Sequence, residues 1–600
     1  MVLANTGTTS SGNAVFNLEQ SLGGSLYIGN NWTVNASDGA SFGNALRVQG
    51  SHVLNLNDNS PTLDSLSLPA ANASSSTTIN GNGMLTIDGA APFNFGVSGG
   101  LGSNVRTAAM DMTGLAGFTY AAPTQIFRVG AQPGVSTSGS GRPDSSFLAA
   151  NNTSITALSF LLGDQAGSGT GGNNVFRLGE TTAINADTIN IGASGRSNAT
   201  LDFNTGLTAP EVTIRATDGS SRVSDWQVGR VANFNTATWT AIANFSGGEI
   251  DAMVDNLRVG ILNTTNQSNR QGTQNSSFIM GKGNLDVTNL VIGEQSGTYA
   301  NNTAGGTYRA NGTFTLNHAD GQLTANSIRL AENTGDLAGG TRSISGTLNL
   351  EAGTIEAGEI RLGDQTATSP AAVTRNFNFS GGTVRNLAGQ DLTISDVPVN
   401  LTGSGTRVFE ATSGQSITMA ADTVISGAGG FTKEGDGTMT IASNSTHSGP
   451  TIVSAGTLLV SGQLTASNVL VQSGATIGGT GTIAQNLGFD ANAMFEIVDI
   501  NNPLTLGGTV TFGSGFGIAN LFGIDWDDLD LHTPYTLITS GQTFTTSDIG
   551  NFGIANAANV GTGRQAYFQD GSLQIVVIPE PATALLGGLG MLLALRRTRS

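Results

Sequence analysis

Side chains able to catalyse a reaction or bind a metal are few in this chain. The histidines are His52, His318, His447 and His532, and no two of them stand at a metal-ligand spacing. The sequence has no cysteine and no HExxH or P-loop motif. A Ser/His/Asp set drawn from distant positions stays open, since its members need not be neighbours in sequence. We therefore predict a protein that is not an enzyme and needs no cofactor.

The densest group of carboxylates lies in "IDWDDLDLH", which contains Asp525, Asp527, Asp528 and Asp530. Hard oxygen ligands of this kind bind Ca²⁺. The stretch lacks the glycine and the glutamate that an EF-hand loop requires, and it lacks the glycine-rich repeat of a calcium β-roll. We expect a solvated turn ahead of the strand-like "YTLITSG", with a calcium site as the weaker alternative.

A second set of charges, Arg329, Glu332, Glu359 and Arg361, falls in two copies of a repeated phrase described below. Carboxylates beside basic groups are what polysaccharide lyases and glycosidases use in a groove. The alternating pattern predicts that Glu359 and Arg361 both point outward from one strand. We expect a solvated salt-bridge face here, and polar corners at acidic phrase ends such as Glu294.

Composition narrows the class of protein. The formal net charge is −18 and charged residues make up only 11% of the chain. Nucleic acid needs a basic footprint, so we predict no nucleic-acid partner. Glycine, serine, threonine and asparagine between single aliphatic residues disfavour helices and favour turns and strands.

One phrase recurs seven times between 155 and 474, in the form aliphatic–polar–Ala–x–x–aliphatic–x–aliphatic–small, as in "IEAGEIRLGDQ" at 355–365. Ile355 and Ala357 share one side of a strand, but the step of three from Ala357 to Ile360 breaks the alternation. A corner between two strands that face one core explains this break. With a preceding strand and a Gly turn, each unit predicts three short strands, as in one coil of a right-handed parallel β-helix. Antiparallel sandwiches are the alternative.

The repeat also suggests a division of the chain. We expect a β-rich or capping region over 1–150, the β-helical repeat over 151–490, a closing β unit over 491–575 and a separate tail over 576–600. Residues 1–16 have neither a basic segment nor an apolar one, so we expect any secretory leader to lie upstream or to have been removed.

Residues 428–462, "AGGFTKEGDGTMTIASNSTHSGPTIVSAGTLLVSG", resemble the autotransporter-associated β-strand repeat. His447 stands where that repeat usually has an aromatic residue. The resemblance implies a β-helical stem of a surface or secreted protein. The matching positions are Gly429, Gly430, Phe431, Lys433, Gly435, Gly437, Met439, Ile441, Asn444, Gly449, Thr451, Val453, Ala455, Gly456, Thr457 and Leu458.

The closing stretch, "VIPEPATALLGGLGMLLALRRTRS", is similar to a PEP-CTERM sorting signal. The motif is Pro579, Glu580 and Pro581, the apolar segment is 582–595, and the basic tail contains Arg596, Arg597 and Arg599. The apolar segment would form a helix of about 21 Å, a short transmembrane helix against a hydrocarbon core of about 30 Å. The arginines favour the cytoplasmic side. The resemblance implies transient insertion in the inner membrane and processing by an exosortase, a membrane-embedded transpeptidase.

Together these features predict an all-β protein, exported, tethered through its C-terminal helix and then released to the cell surface or the extracellular matrix. Its expected role is structural, in adhesion, biofilm or envelope. The alternative is a secreted β-helix that binds or cleaves extracellular polysaccharide. An uncut membrane anchor is the alternative interpretation of the tail.

Overall fold

The structure is a computed structural model, and it consists of two compact units, Met1–Gly382 and Thr383–Ser600. It describes residues 2–3, 16–18, 25–28, 45–48, 52–71, 74–98, 104–131, 142–163, 172–192, 197–231, 237–263, 272–298, 307–336, 341–369, 371–542, 548–569 and 573–580. Within these residues the regular structure is strand, apart from two single 3₁₀ turns at Ile518–Asn520 and Ile554–Asn556.

The first unit is built from two ladders of parallel strands that alternate along the chain. Most strands pair with the strand two places later, which closes one coil. The partner lies three places later where one coil contains two separate strands, Glu211–Arg215 and Val223–Val231. Coils differ in length because their loops differ: one short coil runs from Asn173 to its partner Asn198, and a longer one runs from Thr200 to its partner Ile242. The strands before these ladders are Val2–Leu3, Phe16–Leu18, Ser25–Ile28, Ala45–Val48, His52–Asn55, Thr62–Leu63, Ser65–Ala71, Ser75–Ile87 and Phe93–Ser98. The last two pair with the first strands of the ladders.

One ladder, here called the straight ladder, has strands of 6 to 10 residues with simple in–out alternation. Its strands are Val105–Asp111, Arg142–Leu148, Asn173–Leu178, Asn198–Phe203, Ala237–Asn244, Gly272–Met280, Thr307–Leu316, Thr341–Leu350 and Ala372–Phe379.

The other ladder, the bent ladder, carries the repeated phrase. In Thr354–Leu362 the buried residues are Ile355, Ala357 and Ile360, so the predicted break in alternation is present. The corner lies inside one continuous strand in most coils, so the second and third strands predicted for a coil are there one bent strand. In one coil they stay separate, as Glu211–Arg215 and Val223–Val231. The bent ladder consists of Leu115–Val129, Asn152–Leu162, Thr181–Ile191, Glu211–Arg215, Val223–Val231, Glu249–Leu262, Lys282–Gln295, Gly321–Asn333 and Thr354–Leu362.

Like side chains stack on like side chains along the first unit. Leu290, Ile328 and Ile360 are register partners in successive coils and are fully buried. Aromatic rings stack in the same way, with Phe127 4.5 Å from Phe93 and 5.6 Å from Phe160 between ring centroids. Each coil therefore buries its apolar surface against its neighbours, as solenoid coils do.

The two ladders approach each other closely at a glycine seam. A Cβ on Gly312 of the straight ladder would lie 2.1 Å from the carbonyl oxygen of Val259 in the bent ladder. In the next coil a Cβ on Gly346 would lie 2.2 Å from the carbonyl oxygen of Ile292. Glycine is required at both positions because no side chain fits between the two backbones. A small second core of Val231, Leu262, Tyr308 and Ala310 also joins the ladders.

The second unit has narrower coils with three ladders of very short strands. Thr438 pairs with Thr457 and Thr457 pairs with Thr476, so each of these coils takes a much shorter stretch of chain than a coil of the first unit. The first ladder contains Gly382–Asn386, which begins at the unit boundary, then Arg407–Glu410, Phe431–Glu434, Thr451–Val453, Val469–Val471, Leu487–Phe489 and Val510–Thr511. The second contains Leu392–Ser395, Ser416–Met419, Thr438–Ile441, Thr457–Val460, Thr476–Gly478, Met494–Glu496 and Leu521–Phe522. The third contains Asn444–Ser445, Gln463–Leu464, Thr482–Ile483, Leu504–Leu506 and Ile538–Thr539, and Val399–Leu401 pairs with Ile425–Ser426.

A four-stranded antiparallel sheet follows these coils in the second unit. Its spatial order is Pro534–Thr536, Gln574–Pro579, Arg564–Phe568 and Ala558–Gly561. No helix among the described residues is long and apolar enough to cross a membrane. The helix predicted over 582–595 lies outside the described residues.

The all-β prediction is confirmed, and the parallel pairing of both sets of ladders agrees with a β-helical solenoid rather than with antiparallel sandwiches. The right-handed sense of the coil and the boundaries expected at 150 and 490 stay predictions.

Candidate functional site

The aspartate cluster forms an exposed turn that is tied to the antiparallel sheet. The side chain of Asp525 accepts the N–H of Asp527 at 3.0 Å. Asp527 in turn accepts the hydroxyl of Thr562 at 2.6 Å and lies 3.4 Å from Arg564. Among the described residues no group of three or more His, Cys, Asp or Glu is placed to hold a metal ion. Asp525, Asp527, Asp528 and Asp530 thus lie in a turn, and the calcium alternative stays a prediction.

The first two residues of the predicted sorting motif lie at the end of a strand of the same sheet. Pro579 is the last residue of its strand and is the register partner of Arg564. The Glu580 N–H donates to the Gly563 carbonyl at 2.8 Å, and its carboxylate accepts a hydrogen bond from the Asn559 side chain. The motif is therefore clamped by the hairpin that precedes it. Pro581, Arg596, Arg597 and Arg599 lie outside the described residues.

The autotransporter-type repeat buries a charged group in the second unit. Lys433 is fully buried, and its ammonium donates to the carbonyls of Glu434, Gly435 and Ala455 at 2.7 to 3.0 Å. Burial lowers the pKa of Lys433 to about 8, although the carboxylates of Asp436, Glu410 and Glu434 act in the opposite direction. The lysine ties one coil to the next, which gives it a structural role.

His447 occupies the position of the usual aromatic residue and is packed like one. Its ring is fully buried with its centroid 5.3 Å from that of Phe431, and Nε2 lies 2.9 Å from the Thr451 hydroxyl. Burial lowers the pKa of His447 to about 4, so the ring is neutral near pH 7.

A mixed-charge depression of about 520 Å³ lies on the outer face of the bent ladder in the first unit. We call it the charged groove. Its lining residues come from four successive coils, and they are Asp225, Asn256, Arg258, Val291, Glu294, Arg329 and Glu332.

Arg258 holds one side of the charged groove. Its Nε and Nη2 donate to the two carboxylate oxygens of Asp225 at 2.9 and 2.7 Å, and its Nη1 donates to Glu294 Oε1 at 3.4 Å. Burial acts to lower the pKa of Arg258, but the bonds to both carboxylates outweigh it and the pKa is raised. One guanidinium thus links three coils.

Arg329 and Glu332 form the other side of the groove. Arg329 Nη1 lies 2.8 Å from Glu332 Oε2 and 3.6 Å from Asp364. Burial raises the pKa of Glu332, against the effect of Arg329, and the carboxylates of Glu294 and Asp364 add to the rise. In the next coil Arg361 donates to Glu359 at 3.1 Å and to Asp364 at 2.8 Å.

The prediction of charged pairs is confirmed, but the prediction of a solvated face needs correction. Glu294 and Glu332 are only 4% and 9% exposed. The guanidinium of Arg258 lies against Glu294, and that of Arg329 lies against Glu332. The contribution of Asp225 and Arg258 was missed. A signal was present: the middle residue of each aliphatic–x–aliphatic phrase reads Arg258, Val291, Arg329 and Arg361 in successive coils.

Comparison with known proteins gives two similarities. Residues 431–460 match the family model of the passenger-associated-transport-repeat. These residues are five strands of the second unit, three from one coil and two from the next. The chain is also similar to the "Adhesin BmaC autotransporter" of Brucella suis biovar 1 (strain 1330), with 27% identity over 223 residues, which is 34% of this chain and 6% of that protein. No solved structure matches the chain.

The chain therefore spans only a small part of the length of the adhesin it resembles. The repeat resemblance drawn from 428–462 is confirmed by the family match. What these findings support is a solenoid protein that contains an autotransporter-associated repeat and has distant similarity to an autotransporter adhesin.

Proposed function

We propose that this chain is an exported, non-enzymatic surface or matrix protein of the adhesin type, whose solenoid body presents faces to the outside of the cell. The observation that carries the proposal is the stack of narrow coils in which the passenger-associated repeat lies. Distant similarity to an autotransporter adhesin supports the same role.

The outer face of the straight ladder suits a structural body. It carries ladders of uncharged amides and hydroxyls, such as Asn311 donating to Asn275 at 2.8 Å and Asn378 to Asn349 at 2.9 Å. These side chains satisfy one another between coils, and they stabilise the stack without a requirement for a bound group.

We further propose that the tail is a PEP-CTERM signal that an exosortase processes. The contacts that hold Glu580 to the preceding hairpin allow the position of the cut to be predicted. The antiparallel sheet holds the chain up to Glu580, so we expect the cut to fall on the C-terminal side of that residue, with the apolar segment and the arginines removed.

The test is the mass of the C-terminal peptide of the mature protein from fractionated producing cells. Sorting predicts a surface or medium fraction in which the peptide ends shortly after Glu580. An intact tail ending at Ser600 in the inner-membrane fraction would mean a permanent anchor and would overturn the sorting proposal.

Two variants separate the motif from its clamp. Glu580→Ala removes both the motif carboxylate and its contact with Asn559, and we expect uncut protein to accumulate in the membrane. Asn559→Ala removes the contact alone and leaves the motif intact, so processing should continue. Equal loss of processing in both variants would contradict motif recognition.

The alternative, a secreted solenoid that binds or cleaves polysaccharide, is favoured by one observation, the charged groove. Cleavage would release new reducing or unsaturated chain ends from a polysaccharide incubated with the purified chain, and the non-enzymatic proposal predicts none.

A further inference from the structure

We infer that the charged groove is a binding site for a neutral, polyhydroxylated ligand, namely a sugar unit of an uncharged polysaccharide. This inference rests on the polysaccharide-binding alternative stated above and names the ligand class for it. It does not depend on how the protein is exported or whether the tail is cut.

The groove exists because one member of an arginine column is missing. Arg258, Val291 and Arg329 are successive register partners, so the two guanidinium-bearing strands are two coils apart, or about 10 Å. Val291 is too short to fill the space between them. The result is a small apolar floor between two walls of hydrogen-bonding groups, an arrangement typical of small-ligand sites.

Among the described residues, three buried atoms of the groove lining have no hydrogen-bond partner: Glu294 Oε2, Arg329 Nε and Glu332 Oε2. Glu332 Oε2 still forms an ion pair with Arg329 Nη1 at 2.8 Å, which leaves Glu294 Oε2 and Arg329 Nε. An unpaired buried polar atom is costly, so each is expected to bond to something the groove takes up. One atom accepts and the other donates, and a hydroxyl group is the common chemical group that can do both.

Charge excludes the competing ligand classes. The groove lining contains two guanidiniums and three carboxylates, a formal excess of one negative charge. Asp225 already occupies the bidentate edge of Arg258, and Glu332 lies against Arg329, so an acidic sugar or a phosphate would displace a carboxylate and add repulsion. Metal ions are disfavoured as well, because no metal-holding group occurs in the described part of the chain.

The test is calorimetric titration of the full purified chain with neutral tetrasaccharides (cellotetraose, maltotetraose and mannotetraose) and with acidic trigalacturonate. We expect at least one neutral probe to bind at a single site and trigalacturonate to bind at least tenfold more weakly. Hydrogen exchange should show ligand protection over 289–295.

Three variants locate the site. Val291→Arg restores the missing member of the column and should weaken binding at least tenfold. Asn284→Arg adds the same charge at an exposed position earlier on the same strand and should leave binding unchanged. Glu294→Gln keeps the shape but removes the accepting carboxylate, with an expected loss of about fivefold or more, so the proposal stays testable if Val291→Arg does not fold.

Each other result overturns the inference. These are no binding of any neutral probe, preferential binding of trigalacturonate, or equal effects of Val291→Arg and Asn284→Arg. None of them bears on the sorting proposal, which depends on the tail alone.

Discussion

Both units consist of stacked coils of parallel strands, but the coils of the first unit have a larger circumference than those of the second. In the first unit a wide coil, such as the one from Thr307 to its partner Thr341, is made of two long strands and their loops. In the second, the narrow coil from Thr438 to its partner Thr457 is made of three strands that are each only a few residues long. In both units successive strands pair in parallel and similar side chains stack on one another. The circumference of the coil therefore differs between the units, but the way in which coils stack does not.

The difference in width changes how the interior is filled. The wide coil has room for continuous columns of rings and is closed at one side by the glycine seam. The narrow coil contains buried polar groups such as Lys433 and His447, which bond to backbone carbonyls and hydroxyls of their own and neighbouring coils. We therefore expect the stability of the wide coils to depend strongly on ring packing, and the stability of the narrow coils to depend on the protonation of His447.

The largest effect expected from this comparison is on ring packing. Phe127→Ala removes a ring stacked between Phe93 and Phe160, and we expect a loss of about 3–5 kcal/mol confined to the first unit. Hydrogen exchange resolved by peptide measures each unit separately. Leu158→Ala, at a 44% exposed position two residues from Phe160, is the control and should change little. Equal loss of protection in the second unit would contradict independent filling of the two kinds of coil.

The next effect is the part of the pH dependence of the second unit that comes from His447. The pKa of His447 is lowered by burial to about 4, against 6.5 in the unfolded chain, so between these values only the unfolded chain binds the proton. The neutral His447 ring therefore leaves the free energy of unfolding undiminished above about pH 6.5. On acidification, protonation of this ring in the unfolded chain lowers the free energy of unfolding by up to about 3 kcal/mol near pH 4. His447→Phe should remove the loss of stability that is due to His447. The measurement is the free energy of unfolding in urea at pH 7 and at pH 4.5. His318→Gln, at an exposed position of the first unit, is the control. The same pH slope in His447→Phe and the parent would contradict the prediction.

A smaller effect tests the glycine seam. In Gly312→Ala the new Cβ meets Val259 and Gly293 backbone atoms at 2.1 and 2.5 Å, so the ladders must separate. We expect a loss of about 1–3 kcal/mol by chemical denaturation. Gly541→Ala, where nothing lies within 4 Å, should show no such loss. If Gly312→Ala is as stable as the parent, the wide coil is not closed in this way.

The smallest effect concerns one position of the bent ladder. Ala331 has φ of 58°, and the corresponding residues of the two preceding coils, Gly260 and Gly293, also have positive φ. Ala331→Gly should relieve strain and stabilise the chain by about 0.5–1 kcal/mol, as measured by thermal unfolding. Gly293→Ala is the opposite change and should destabilise, because its Cβ would lie 2.4 Å from the Ser345 carbonyl oxygen. A destabilised Ala331→Gly would mean that the alanine is not strained.

Local features were predictable from the sequence and long-range ones were not. The break between Ala357 and Ile360 is a property of one strand, so alternation alone revealed it. The charged groove depends on which residues of different coils are register partners. These partners could not be assigned from the sequence, because the loops between strands vary in length. Glu294 looked like a solvated corner because nothing local shows that Arg258 lies over it. The glycine seam was missed for the same reason, since Gly312 lies in an ordinary-looking strand.

The register of the bent ladder has an evolutionary consequence. Because each coil offers its neighbours the same columns, a duplicated coil finds compatible partners on both sides and lengthens the body without redesign. Substitutions in one coil could then be selected independently of the other coils. A single divergent copy, with Val291 where its neighbours have arginine, leaves the stack intact and adds a surface feature that its neighbours do not have. Duplication of a coil would thus supply both a stable body and positions at which a binding surface could arise.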